Sequence, residues 1–186
     1  DTIGKEAKKL HQDAYIMIKE IVDNDLLYAN AVVGFYPANV KGDDILIYTD
    51  ESREEVRTCF HMLRQQGKKG SGLPNLSLAD FVAPSDSGCS DYVGGFAVTA
   101  GIGIEPLIEK YENDHDDYNS IMIKAVADRL AEAFAELMHE KVRKELWAYA
   151  SDETFDNESL IREKYQGIRP APGYPACPDH TEKKTL

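Results

Sequence analysis

The residues best suited to chemistry in this chain lie between Ile168 and Lys183, a segment that we call the proline ribbon. It reads IRPAPGYPACPDHTEK and combines four prolines with one arginine, Arg169. Proline lacks an amide N–H, fixes its own φ, and disfavours helical geometry at the preceding residue. The pattern therefore predicts extended backbone at Arg169, Ala171, Tyr174 and Cys177, with neither a helix nor a central strand.

Such a segment has two interpretations. It offers many carbonyls and few amides, which suits a ligand rich in hydrogen-bond donors, and Gly173 permits close approach of that ligand to the backbone. The guanidinium of Arg169 is a planar fork that fits a carboxylate or a phosphate. The alternative is an ordinary proline-rich surface loop or linker.

The rest of the chain must position this segment, and its periodicities predict a mixture of helices and strands. Apolar residues at steps of three and four predict helices, while short β-branched and aromatic runs predict strands. The predicted helices are Lys5–Val22, Glu54–Gln66, a long one from about 117 to 149, and a short one over Glu158–Lys164 capped by Asp156 or Asn157. The predicted strands are Ala31–Tyr36, Ile45–Tyr48, Leu76–Val82 and Tyr92–Ala100, with turns at Asn39–Asp44 and Pro84–Gly88.

The order of these elements indicates the fold class. Strands and helices mix without strict alternation, which favours an α+β fold with a mainly antiparallel sheet. Asp179 and Glu182 have the spacing of a capping box, so a further helix should begin just after the ribbon.

The long helix carries a row of carboxylates at steps of four: Asp128, Glu132, Glu136 and Glu140. Such a row usually forms a solvated face, and Glu140 can pair with Lys144. The functional alternative is that one of these carboxylates faces a cationic ligand.

Composition excludes several classes of function. The 186 residues are 42% apolar, enough for one globular domain, and 21 Lys and Arg against 33 Asp and Glu give a net charge of −12. An acidic chain is a poor partner for nucleic acid, and no apolar run is long enough to span a membrane. With no apolar signal segment at the N-terminus and three scattered cysteines, we expect a cytoplasmic protein with free thiols.

Motifs for intrinsic catalysis or metal binding are weak. Arg143 stands where an HExxH motif beginning at His139 would need its second histidine, and the cysteines form no CxxC pair, so we expect neither a metal site nor catalytic residues. Gly101–Glu105 has only part of a GxGxxG fingerprint and indicates a plain turn from strand to helix. No GxSxG elbow surrounds Ser87 or Ser90.

The ribbon closely resembles the signature of the C-terminal activation domain of cobalamin-dependent methionine synthases. Further segments similar to that family extend over nearly the whole chain. They are FYPAN at Phe35–Asn39, GDDI at Gly42–Ile45, LRQQ at Leu63–Gln66, LADFVAP at Leu78–Pro84, HDDYN at His115–Asn119 and ADRLAEAFAE at Ala127–Glu136.

The resemblance implies a single C-shaped α+β domain over residues 1–186, truncated at both ends relative to the family, with a twisted antiparallel sheet flanked by helices. It implies binding of S-adenosylmethionine, with Arg169 on the methionine carboxylate, with Ala171, Gly173 and Tyr174 on the adenosyl part, and with Glu132 on a neighbouring wall. An upstream Asp-Trp segment and downstream aromatic strands typical of the family do not occur here.

The resemblance also implies a role within a larger enzyme. The domain would cap a cobalamin-binding domain of the same enzyme and support reductive methylation of cob(II)alamin to methylcobalamin, with flavodoxin or a similar reductase as electron donor. Two alternatives stay open. One is an interaction module that docks a corrinoid domain or flavoprotein without a small molecule, suggested by the basic cluster Lys141–Lys144 beside the acidic helix. The other is a stand-alone methyltransferase, which requires a parallel sheet with its ligand at Gly101–Glu105.

Overall fold

The computed structural model describes residues 2–185 and has the predicted α+β class. Its regular elements are α1 (Thr2–Asp23), β1 (Tyr28–Lys41), β2 (Asp44–Tyr48), β3 (Val56–His61), β4 (Asp91–Ile102), α2 (Glu105–Asn113), α3 (Asp117–Lys141) and α4 (Asn157–Ile161). Two 3₁₀ turns cover Leu78–Phe81 and Thr181–Lys184, and a π-helical turn covers Val142–Leu146. No described helix combines the length and the apolarity that a membrane span requires.

The strands form one sheet in the order β3-β2-β1-β4, and the β1–β2 and β2–β3 pairs are antiparallel. The hairpin between β1 and β2 pairs Lys41 with Asp44, so its turn consists of Gly42 and Asp43 alone. Gly42 has φ +68, which a glycine adopts without steric cost. An antiparallel sheet removes the hypothesis of a stand-alone methyltransferase, because that class needs a parallel one.

The chain divides into two compact units, and the divisions fall within β1 and β4. Unit 1 contains the residues up to Val32 and Phe96–Ser151, and unit 2 contains Val33–Gly95 and the residues from Asp152 onward. Each unit has its own apolar cluster. In unit 1 the cluster joins α1 to α3 and includes Met17, Ile21, Met122, Ile123 and Val126. In unit 2 it lies on the β1–β3 strands and includes Ala38, Ile45, Ile47, Phe60 and Cys177.

Several sequence predictions need correction. The predicted helix at Glu54–Gln66 is wrong, because its centre is strand β3, in which Phe60 pairs with Ile45. The apolar residues of this segment recur at steps of three and four, which fits a helix. The β-branched Val56 and Thr58 favour a strand, however, and β2 supplies the neighbouring strand with which the segment pairs.

The predicted strand at Leu76–Val82 is also wrong, because this segment contains the first 3₁₀ turn. Ser77 and Asp80 form a reciprocal capping box. The side chain of each residue accepts a hydrogen bond from a backbone amide at the opposite end of the turn. The serine side chain accepts from the Ala79 amide at 3.2 Å, and the Asp80 carboxylate accepts from the Ser77 amide at 2.9 Å. This local hydrogen bonding closes the backbone into a turn before a strand can form.

One turn and one helix boundary also differ from prediction. Strand β1 continues through Asn39 to Lys41, so the predicted long turn shrinks to two residues. Helix α3 ends at Lys141 and passes into the π-helical turn, where the Trp147 amide donates to the Val142 carbonyl at 2.9 Å. Ala148 then has φ +59, a left-handed geometry that ends the helix short of residue 149.

A partly buried arginine links the strands of unit 2 to their loops. The guanidinium of Arg53 donates to the Ala38 carbonyl at 3.2 Å, to Asn39 Oδ1 at 2.9 Å and to the Asp91 carbonyl at 2.9 Å. It also lies over the rings of Tyr48 and Tyr92, 5.6 and 5.3 Å from their centroids. With only 14% of its side chain exposed, Arg53 acts as a cross-link and not as a surface charge.

We expect Arg53→Ala to lower the free energy of unfolding by about 3 kcal/mol, because it leaves three buried acceptors without their charged donor. Urea denaturation measures this change. The matched control is Arg162→Ala, which removes an exposed ion pair with Glu158 one helical turn away and should change stability by less than about 0.5 kcal/mol. Equal effects of the two variants would contradict the cross-linking role.

Candidate functional site

The proline ribbon folds back on itself in unit 2. The Tyr174 amide donates to the Ala171 carbonyl at 3.0 Å, around Pro172 and around Gly173 with φ +103. Proline followed by a glycine of positive φ is the signature of a type II turn. A second turn follows around Pro175, where the Cys177 amide donates to the Tyr174 carbonyl at 2.8 Å.

The two turns revise part of the sequence interpretation. The Gly173 amide also donates to the Cys177 carbonyl at 2.7 Å, and Tyr174 and Cys177 form an antiparallel bridge. The carbonyls of Ala171, Tyr174 and Cys177 are therefore occupied within the ribbon, and the prediction of many free carbonyls was wrong for these residues. The exclusion of helix is confirmed for Arg169–Cys177, but the segment is turned and not uniformly extended.

One end of the ribbon is fixed to the core of unit 2. The Cys177 side chain is 5% exposed and belongs to the apolar cluster on the sheet. The neighbouring Ala176 carbonyl accepts from the Leu78 amide at 2.8 Å, which ties the ribbon to the first 3₁₀ turn. Burial raises the pKa of the Cys177 thiol, and the carboxylates of Asp179 and Glu182 raise it further, so the thiol stays protonated at neutral pH.

The other end of the ribbon holds the predicted ligand contacts. Ala171, Gly173 and Tyr174 are exposed, and the Tyr174 ring is 61% exposed although aromatic rings usually gain by burial. Arg169 is partly buried on the same segment. Four of the five predicted site residues, neighbours in the sequence, thus lie on one short, turned stretch of backbone.

The fifth predicted residue, Glu132, belongs to unit 1. It lies on the solvated face of α3, with its side chain 64% exposed, and its carboxylate pairs with Arg129 at 2.8 Å. Glu140 pairs with Lys144 at 3.2 Å, as the spacing predicted. These contacts are those of a solvated charge row.

The basic cluster after α3 is not an open cationic surface. Arg143 is 1% exposed, and the ammonium groups of Lys141 and Lys144 pair with Glu145 at 3.0 Å and with Glu140 at 3.2 Å. The charge asymmetry that suggested a pure interaction module is therefore largely neutralised within its own helix.

The sequence motifs did not reveal the residues that hold the LADFVAP segment, to which the ribbon is hydrogen-bonded. Arg64 makes a bidentate contact with the Asp80 carboxylate, both distances being 2.8 Å, and reaches Asp43 at 2.6 Å. Asn39 donates to the carbonyls of Ala83 and Cys89 at 3.0 and 2.9 Å. These bonds hold both ends of the LADFVAP segment, whose Leu78 amide binds the ribbon. The spacing of Ser77 and Asp80, three positions apart, is that of a capping box and could have predicted this turn.

The turn after β4 is the plain connection that the sequence indicated. Gly103 has φ +95, and a Cβ there would lie 3.1 Å from the Leu26 carbonyl oxygen. Helix α2 begins at Glu105 with proline in its first turn, a position where proline's missing N–H costs nothing.

The fold and the ribbon together define an α+β domain that presents a proline-turned loop carrying one guanidinium and one exposed aromatic ring. The family described as "Vitamin B12 dependent methionine synthase, activation domain" matches residues 1–186. The chain therefore belongs to the activation-domain family of vitamin B12-dependent methionine synthases. A similar solved structure is described as the crystal structure of the MetH reactivation domain bound to AdoHcy, with 56% sequence identity and a TM-score of 0.90. The match covers 100% of this chain and 57% of the length of that chain.

The first test of the ribbon geometry concerns Gly173. An added Cβ would lie 2.2 Å from the His180 ring, and the residue already has a positive φ. We expect Gly173→Ala to destabilise the protein by more than about 1 kcal/mol in urea denaturation. Gly67→Ala is the control, since nothing lies within 4 Å of its Cβ position. Adding His180→Ala should recover the part of the loss due to the clash. A Gly173 variant as stable as the Gly67 variant would contradict the turn geometry.

The second test concerns pH. The hydrogen bonds from Arg64, and then from the Ser77 amide, lower the pKa of Asp80 below its usual value. A lowered folded-state pKa contributes stability above pH ~4 and loses it as pH falls through the folded-state pKa. Urea denaturation should therefore show the advantage of wild type over Asp80→Asn at pH 7 shrinking towards pH ~3. Arg64→Ala should flatten the profile similarly, and a pH-independent difference would contradict the assignment.

Proposed function

We propose that this chain binds S-adenosylmethionine on the proline ribbon and serves as the reactivation module of a cobalamin-dependent methionine synthase. The observation that carries the proposal is the turned ribbon, which is anchored at Cys177 and leaves Arg169, Ala171, Gly173 and Tyr174 at its outer end. The family membership and the AdoHcy-bound structure at 56% identity support the same ligand class.

The chemistry of these residues fits the ligand. A guanidinium offers two parallel N–H donors, which match the carboxylate of an amino acid. An exposed tyrosine ring offers a flat apolar face with a polar tip, suited to a nucleoside. Gly173 lies on the exposed turn beside Tyr174, and the His180 ring packs against its Cα. We assign Arg169 to the carboxylate, and Ala171, Gly173 and Tyr174 to the adenosyl part.

Glu132 is assigned a supporting role in the same proposal. Its carboxylate is exposed and its present partner is a neighbouring arginine on the same helix. Surface pairs of this kind are worth less than about 1 kcal/mol, so exchanging Arg129 for a cationic ligand costs little. Glu132→Gln should accordingly weaken binding less than loss of Arg169 does.

The module supplies position and not proton transfer. When bound, S-adenosylmethionine provides an electrophilic methyl group, and the cobalamin held by another domain provides the cobalt centre that is methylated after reduction. The residues of this chain orient the amino acid tail and the nucleoside, and orientation alone contributes several kcal/mol to such displacements. We infer that this domain alone does not turn over homocysteine.

The partners follow from this role. We infer that the module docks on the cobalamin-binding domain of the same enzyme and that flavodoxin or a similar reductase delivers the electron. We also place the protein in the cytoplasm, since Cys59, Cys89 and Cys177 are all free thiols, as is usual in a reducing compartment.

Isothermal titration calorimetry with S-adenosylmethionine and S-adenosylhomocysteine tests the proposal. We expect Arg169→Ala to weaken binding roughly ten- to hundredfold, because a charge-assisted contact is worth about 1.5–3 kcal/mol. Arg169→Lys should restore little of the affinity, since an ammonium cannot form the paired contact.

The matched control is Arg162→Ala, which removes an exposed guanidinium from the same unit, outside the ribbon. It should leave the affinity unchanged. No binding by the wild-type protein, or equal affinity after Arg169→Ala, would overturn the assignment. Capture of a cobalamin domain that is indifferent to S-adenosylmethionine would instead favour the interaction-module hypothesis.

A further inference from the structure

A group of side chains of metal-ligand types lies on the edge strand β3 and its neighbour β2 and includes none of the ligand-contact residues assigned above. Strand β3 ends the sheet order, and it pairs with β2 so that His61 lies opposite Asp44 and Cys59 opposite Leu46. Side chains alternate between faces along a strand, so Asp44, Cys59 and His61 share one face. The core residues Ile45 and Phe60 occupy the other.

The donor atoms of this group converge. His61 Nδ1 lies 2.8 Å from Asp44 Oδ1 and 3.9 Å from Cys59 Sγ. One donor atom from each of the three residues lies within 4.8 Å of the other two. Tetrahedral coordination by nitrogen, oxygen and sulfur separates donor atoms by about 3.3–3.8 Å, so small side-chain rotations would bring these three around one ion.

A buried carboxylate that is not one of the three converging ligands adds negative charge near the group. Glu182, on the second 3₁₀ turn, is 9% exposed, and its Oε2 has no hydrogen-bond partner among residues 2–185. An orphaned oxygen on a buried carboxylate costs free energy that a bound cation would offset. Its charge acts on this group: after the hydrogen bond and charge of Asp44, Glu182 contributes to raising the pKa of His61.

The electrostatics of the group favour a cation. The pKa of the Cys59 thiol is raised first by burial and then by the charges of Asp44 and Glu182. The two carboxylates thus create a negative potential at a thiol and an imidazole. Hard ions such as magnesium and calcium do not prefer these two ligand types. Sulfur and nitrogen donors select zinc and related transition metals over magnesium or calcium.

We propose that Asp44, Cys59 and His61 form a binding site for a divalent transition metal of the zinc class. The sequence predicted no metal site, because it contains neither an HExxH motif nor a CxxC pair. Here Asp44 reaches Cys59 and His61 only through the pairing of two strands. The site is independent of the S-adenosylmethionine proposal, since it shares no residue with the assigned ligand contacts.

The test is titration of the purified 186-residue protein with Co²⁺ as a spectroscopic probe, followed by Zn²⁺ competition. We expect one equivalent of Co²⁺ to produce thiolate-to-metal charge-transfer absorption, which Zn²⁺ abolishes and excess Mg²⁺ does not. Cys59→Ser should remove the absorption, and His61→Ala should weaken Co²⁺ binding at least tenfold, since even partners outside the ligand shell cost that much.

Matched variants keep the outcome interpretable. Cys89→Ser removes an exposed cysteine outside the group and should leave the spectrum intact. His61 is exposed and Cys59→Ser is nearly isosteric, and circular dichroism should show both variants folded. Absence of the charge-transfer band, its survival in Cys59→Ser, or its loss in Cys89→Ser would overturn the site.

Discussion

The ribbon is attached to the core of unit 2 at Ala176 and Cys177. A segment with four prolines cannot extend a sheet, because it lacks the amide donors that a strand ladder needs. It is held instead by the buried Cys177 side chain and by the hydrogen bond from the Leu78 amide to the Ala176 carbonyl. Between Ala171 and Cys177, the prolines and two turns shape the backbone. The part of the ribbon that carries Ala171, Gly173 and Tyr174 can therefore be both stiff and exposed. Its stiffness comes from its own prolines and turns, while its attachment to the core lies at Ala176 and Cys177.

The attachment requires the LADFVAP segment to be fixed in turn, and polar groups of unit 2 do this. Arg53 and Asn39 link strand β1 to the residues that follow Val82, and Asp91 accepts from the Ala83 amide at 2.7 Å. Arg64 binds the carboxylate that caps the 3₁₀ turn. In a chain of net charge −12, these two arginines serve as internal cross-links. Buried or bidentate guanidinium contacts suit this role because each satisfies several acceptors at once.

The parts of this arrangement differ in how far the sequence predicts them. Helix α1, strand β4 and the Asp156 cap of α4 depend on local periodicity and capping, so the sequence predicts them well. Strand β3 does not, because its apolar spacing fits a helix and only pairing with β2 decides its conformation. The ribbon is intermediate. Its prolines exclude a helix, as predicted. The pair Pro172-Gly173 also encodes a type II turn, and this signal is stronger than the preference for extended backbone that a proline imposes on the preceding residue.

The candidate site follows the same division. Arg169 and Tyr174 are predictable because chain order alone puts them on the ribbon. The Arg64–Asp80 pair and the Asp44–Cys59–His61 group arise from strand pairing and chain reversal, which no short motif encodes.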